Sequence, residues 1–181
     1  MGFFDEHHVF SANEIRRMRD VNFALVFTIT IMSTYFNRDD EVETYLDTFN
    51  DDFPDAGELE LQIKKVFAFV DSCQFDPNCR VWKLSDLLSL LVELHRVLVR
   101  DGIDLDPQVI SKRLGSFYGE VDQFVKNPLS LPESYKASTV EYARLASQAT
   151  NDRGTRIRRG EIIREILVGG VTQPVLFQNQ S

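Results

Sequence analysis

Between Thr150 and Arg164 the chain reads Thr-Asn-Asp-Arg-Gly-Thr-Arg-Ile-Arg-Arg-Gly-Glu-Ile-Ile-Arg, which gathers Arg153, Arg156, Arg158, Arg159 and Arg164. A guanidinium is planar, stays charged, and offers a fork of donors that fits two oxygens of a phosphate or carboxylate at once. The chemistry open to this run is therefore recognition of anions. On a helix starting at Thr155, Arg156, Arg159 and Arg164 fall within about one side. A second group, Arg16, Arg17 and Arg19, stands near the other end of the chain. Two kinds of partner suit such clusters. One is nucleic-acid phosphate, with salt-sensitive binding because each neutralised phosphate releases counterions. The other is the protein's own acids, at a seam between helices or domains. Ile157, Ile163, Ile166 and Leu167 add apolar contact, but no aromatic residue interleaves to stack a base, which disfavours a single-strand site.

The run stands against its background. The chain has 181 residues and a formal net charge of -8. Residues 1–60 hold 14 acids against 4 bases, a net of -10, whereas residues 136–181 hold 4 acids against 7 bases, a net of +3. Local charge opposed to the global sign marks a surface that meets a polyanion or an acidic domain. Apolar residues make up 43%, so a sizeable core can be buried in one domain.

Other chemistry is poorly served. An EF-hand needs oxygens at positions 1, 3 and 5, glycine at 6 and glutamate at 12. The acids Asp39, Asp40, Glu41, Glu43, Asp47, Asp51, Asp52 and Asp55 offer no such register, and the stretch beginning at Asp101 has Lys112 at its twelfth position. These acids read as a solvated face; the rival is a metal-dependent helical nuclease or phosphohydrolase using residues 39–60. His7, His8 and His95 have no Ser or Cys partner at a recognisable spacing, and His95 reads as structural. Glycine-rich phosphate loops and a serine elbow are absent. Cys73 and Cys79 are spaced for neither a redox pair nor a zinc site. With no secretory signal, both thiols are expected to be free and the compartment cytoplasmic. No cofactor or metal is called for.

The elements that must position the arginines are helices. Residues 1–10 read as an arm, 11–168 as one helical domain, and 169–181 as a loose tail. Ser11 and Glu14 form a capping box that opens a helix running to about Phe36. Within it Phe27-Thr-Ile-Thr-Ile31 alternates like a strand, but no turn residue interrupts the helix. Helices follow over about 40–50 and 58–72. Ser85 caps a leucine-rich helix over 86–100 that is apolar on much of its circumference, the signature of a central element. Asp106-Pro107 opens another, Pro132 the next, and the last covers 155–168. The sum is an all-α bundle of about seven helices.

Three stretches together carry a family resemblance. They are Ser11-Ala-Asn-Glu-Ile-Arg-Arg-Met-Arg-Asp20, the acidic segment with Tyr45, and Tyr142-Ala followed after six residues by Thr150-Asn-Asp-Arg-x-x-Arg-x-Arg-Arg. Over roughly residues 11–168 the chain resembles the helical half of the GmrSD type IV restriction family, which acts against modified phage DNA. The resemblance implies a non-catalytic helical module that docks on a ParB-like catalytic half or contacts DNA through its basic C-terminal helix. The family's Asp-Gly-Gln-Gln-Arg motif and its paired-histidine nuclease half are absent here, so no catalytic residue carries over. In that reading the chain is a fragment or a stand-alone partner; a pure protein-interaction bundle is the remaining alternative.

Overall fold

The computed structural model of the chain describes residues 2–37, 41–127, 135–148 and 150–169. Among them it contains nine α-helices and no strand: α1 (Phe3–Glu6), α2 (Ala12–Arg16), α3 (Arg19–Met32), α4 (Val42–Thr48), α5 (Ala56–Cys73), α6 (Leu84–His95), α7 (Pro107–Lys126), α8 (Ala137–Leu145) and α9 (Arg153–Val168). A 3-10 turn at Arg80–Trp82 leads into α6, and a π-helical turn at Arg96–Arg100 extends it. The fold is all-α. The expected tail from 170 on, and Pro132 as a helix start, lie outside the described residues.

The count exceeds seven because the first expected helix breaks. The capping box forms, with Ser11 N–H donating to Glu14 Oε2 at 3.0 Å. Met18 then adopts the left-handed conformation (φ 55°, ψ 31°), closes α2 and makes Arg19 the first residue of α3. A methionine there costs about 1–2 kcal/mol of backbone energy. The break lets Phe10 and Phe23 both enter the core, against Phe4. The strand-like Phe27–Ile31 stretch is helical. Thr30 Oγ1 donates to the Val26 carbonyl at 2.6 Å, so the buried hydroxyl is satisfied inside the helix. The arm is docked as well: Phe3 stacks on Phe67 at 4.2 Å, and the His7 ring lies on Trp82 at 4.1 Å.

The centre is α6, which packs against α3, α5 and α9. Leu87, Leu90, Leu91, Val92 and Leu94 are all without exposure. Ser85, expected as the cap, sits inside the first turn; Lys83 occupies the cap position and supplies no side-chain bond. At the far end Gly102 (φ 63°) takes the left-handed position that stops the π turn. On α7, Asp106 Oδ1 accepts from the Gln108 and Val109 amides beside Pro107, as expected. Burial pushes the Cys73 thiol up to about 12, so it is an inert core residue.

Two predictions follow from the core. Leu91→Ala leaves a cavity in the central helix and should cost about 2–5 kcal/mol by denaturant unfolding; a loss under about 1 kcal/mol would displace α6 from the centre. His95 Nε2 lies 2.8 Å from Gln62 Oε1, while Gln62 Nε2 donates to Glu58, which fixes the amide and leaves the proton on Nε2. Burial, with Arg100 and Arg96 nearby, holds this imidazole below its ordinary value. The unfolded chain protonates first, below about pH 6.5, so stability should fall as pH drops through the folded value. His95→Gln should flatten the melting-temperature profile between about pH 7 and pH 5 relative to the parent chain.

Candidate anion site

One arginine of the first group, Arg19, and two of the second, Arg156 and Arg159, meet in space though far apart in sequence. A partly enclosed cavity of ≈ 460 Å³ has Arg19, Arg156 and Arg159 in its lining. Arg19 and Asn22 come from the first turn of α3, and Leu84 and Ser85 from the first turn of α6. Thr150 and Asn151 come from the segment that leads into α9. Three helix starts therefore gather at one place, and none of the three is capped by its own side chain. A helix start carries a partial positive charge that adds to the guanidinium charges; at α9 the first amide, of Arg153, is met by Asn37 Oδ1, and α3 and α6 carry Asp20 and Asp86 in their first turns. Among the described residues that line the cavity none is Asp, Glu, His, Cys or Lys.

Arg159 forms the floor and is 1% exposed. Its Nη2 donates to the Thr150 carbonyl at 3.1 Å. Its Nε and Nη1 meet no hydrogen-bond acceptor among the described residues. Buried guanidinium donors without acceptors are costly. Arg156, 4% exposed, donates from Nη1 to the Phe36 carbonyl at 3.0 Å and lies over the Phe36 ring. Arg19 is exposed at the rim, its carboxylate neighbour Glu14 3.5 Å away.

Behind the floor lies a buried polar network. Asp86, with no exposure, approaches Arg80 Nε at 2.8 Å and accepts from the Tyr142 hydroxyl at 2.9 Å. Arg80 also donates to Asp122 at 3.0 Å. Burial pushes the Asp86 carboxyl above its ordinary value, while Arg80, Tyr142 and Arg159 pull it back down. On the other flank, Glu93 accepts from the Tyr35 hydroxyl at 3.0 Å and from Arg96 at 2.7 Å. These two anchored carboxylates are the acids that Arg159 shares the interior with, and both already hold other partners.

The remaining arginines of α9 engage the chain itself. Arg158 makes a two-pronged pair with Glu141 of α8, at 2.7 and 2.9 Å, and reaches Glu161. Arg164 pairs with Asp101 at 2.5 Å. Arg153 donates to the Tyr35 carbonyl at 2.9 Å, and its amide to Asn37 at 2.7 Å. The expected common face of Arg156, Arg159 and Arg164 thus divides. The first two turn toward the cavity, and the third toward the end of α6. Arg16 and Arg17 are exposed just before α3 and do not line the cavity.

Sequence reasoning missed Asn22, Ser85 and the Asp86–Arg80–Tyr142 network. Asp86 carried the one available signal, an acid beside apolar leucines at a helix start. Of the acidic stretch, Asp39 and Asp40 lie outside the described residues; among the described residues no group of three His, Cys, Asp or Glu could hold a metal. No helix among the described residues is long and apolar enough to cross a membrane.

No protein family, curated protein or solved structure matches the chain.

Gly160 sets how closely α9 approaches this region. A Cβ there would stand 2.6 Å from both Glu93 Oε1 and the Tyr35 hydroxyl. Gly160→Ala should therefore destabilise the chain by about 1–3 kcal/mol through overpacking, despite alanine's better helix propensity. A neutral or stabilising effect in thermal unfolding would show that α9 sits farther from α6.

Proposed function

We propose that this chain is a non-catalytic helical binding module whose working part is the arginine cavity, and that its ligand is a phosphate-bearing anion. The observation that carries this is Arg159: a guanidinium 1% exposed, with two donors that meet no acceptor among the described residues, in the lining of a cavity beside the starts of α3, α6 and α9. Helix starts and arginines are the two devices that proteins use to bind phosphate. Among the described residues the lining adds no carboxylate to repel an anion and no general base to act on one. Buried charge acts strongly across the floor because the local dielectric is low. In the DNA-handling role implied by the GmrSD resemblance, the same phosphate chemistry would serve. The net charge of -8 opposes long-range attraction of a duplex, so the cavity, not a basic outer face, would supply the affinity.

The test is thermal unfolding against inorganic phosphate and pyrophosphate, with chloride at matched ionic strength as the reference. A saturable rise equivalent to about 2.7 kcal/mol at a hundredfold excess over Kd is expected for at least one of the two. Arg19→Gln, at the exposed rim, should keep the fold and weaken binding about tenfold, the effect of losing one charge-assisted hydrogen bond. Arg159→Gln should abolish it. If neither anion raises the melting temperature of the parent chain beyond chloride, the reading fails.

A further inference from the structure

We infer that the chain associates with a second copy of itself: the basic corner between α2 and α3 of one copy seats in an apolar groove, set in an acidic stretch, between α3 and α5 of another. This does not rest on the anion-binding reading above.

The corner combines charge with exposed apolar surface. Of the seven large apolar side chains exposed among the described residues, three crowd into residues 15–21: Ile15 at 43%, Met18 at 62% and Val21 at 44%. Scattered exposure would need no account, but crowding marks a contact patch. Arg16 and Arg17 stand between them in the chain, both exposed, and neither is paired with a carboxylate among the described residues; Arg19 has Glu14 at 3.5 Å. Packing of Phe10 and Phe23 accounts for the left-handed backbone at Met18, but not for the side chain there. Glycine takes that conformation without strain, so an exposed methionine adds nothing to the isolated chain. To a partner it offers a flexible apolar knob. A phosphate would satisfy the arginines and leave the three apolar side chains in water. An acidic protein face with an apolar hollow satisfies both.

The same chain carries such a face. Phe53, Ala56, Leu59, Ile63 and Phe67, with Thr28 of α3, line an open groove of ≈ 400 Å³. The two charged residues in its lining, Glu60 and Lys64, pair with each other at 2.6 Å. The stretch that supplies Phe53, Ala56 and Leu59 is strongly acidic: residues 41–60 hold eight acids and no base. Asp51, Asp52, Asp55 and Glu58 are exposed, and among the described residues none of them is paired with a cation. The groove therefore suits an apolar segment flanked by cations, which is the chemistry of the corner. Two chains of net charge -8 repel each other at a distance, but in 0.15 M salt that repulsion is screened beyond about 8 Å, and charges in contact lie within that range. A corner in a neighbour's groove is a heterologous contact: it closes where a two-fold pair makes it twice, and otherwise continues from copy to copy.

The test is sedimentation velocity of the full chain from about 10 μM to about 1 mM, the range of weak, transient contacts. The sedimentation coefficient should rise with concentration. Two variants at exposed positions, Arg16→Glu with Arg17→Glu, and Asp51→Lys with Asp52→Lys and Asp55→Lys, should each sediment as monomers. Their equimolar mixture should associate again, because the first keeps an intact groove and the second an intact corner. Met18→Gly should raise the melting temperature by relieving the backbone while weakening association about tenfold, which separates contact from folding. A parent chain that stays monomeric throughout overturns the proposal. Association that survives in either charge variant, or in Met18→Gly at full strength, overturns it by placing the contact on another face. A mixture that fails to associate overturns it as well, because corner and groove then do not meet.

Discussion

The burial of Arg159 beneath the contact of α6 with α9 is the constraint on which this structure turns. A guanidinium with almost no solvent contact must be answered by acceptors or by nearby negative charge. The chain supplies one carbonyl, from Thr150, and two more distant carboxylates, Asp86 and Glu93, each held by another cation and a tyrosine hydroxyl. Those tyrosines, Tyr142 and Tyr35, bring α8 and the end of α3 into register with α6. The Asp86 pairing in turn orients Arg80 and ties the turn before α6 to Asp122 of α7. Taking one partner from a buried pair of this kind typically costs about 3–5 kcal/mol, so the network fixes one arrangement of the bundle more than it adds net stability.

The same constraint explains the small residue at the seam. Gly160 follows Arg159 directly, and its missing side chain leaves the space that Tyr35 and Glu93 occupy. α9 thereby comes close enough to α6 for Arg159 to reach the cavity floor rather than the surface. Ile162, Ile163 and Leu167 then close the apolar part of the contact. The helix is held by a polar upper half and an apolar lower half, which is why its pattern lacks a clean amphipathic stripe.

Much of the fold could be read from the chain. The leucine-rich segment ending near Arg100 stands where its all-round apolarity put it, and Ser11–Glu14, Asp106–Pro107 and Gly102 mark boundaries through chemistry local to themselves. Met18 could not be foreseen, because no residue near it favours the left-handed conformation; the break follows from packing Phe10 and Phe23 on either side. The site was half legible. Both arginine groups drew notice by opposing the chain's overall charge. Their union was invisible, because it depends on a long-range meeting of α3, α6 and α9. So was the division of the α9 arginines between interior and surface. A run of arginines in sequence carries no mark of which members a partner helix will cover.

A chain with pI ≈ 4.9 could expose its cations to attract a polyanion, yet it folds two of them inward and spends three others on its own carboxylates and carbonyls. That choice trades reach for selectivity. Exposed arginines in a 0.15 M salt solution act over about 8 Å and grip any phosphate they meet. Buried ones are already desolvated by folding, so on the proposed reading they would act only on what fits the cavity. Arg19 is the exception: it stays exposed, 3.5 Å from Glu14. On the proposed reading, the acidic remainder of the surface would repel bulk polyanions and leave the cavity as the favourable place for negative charge.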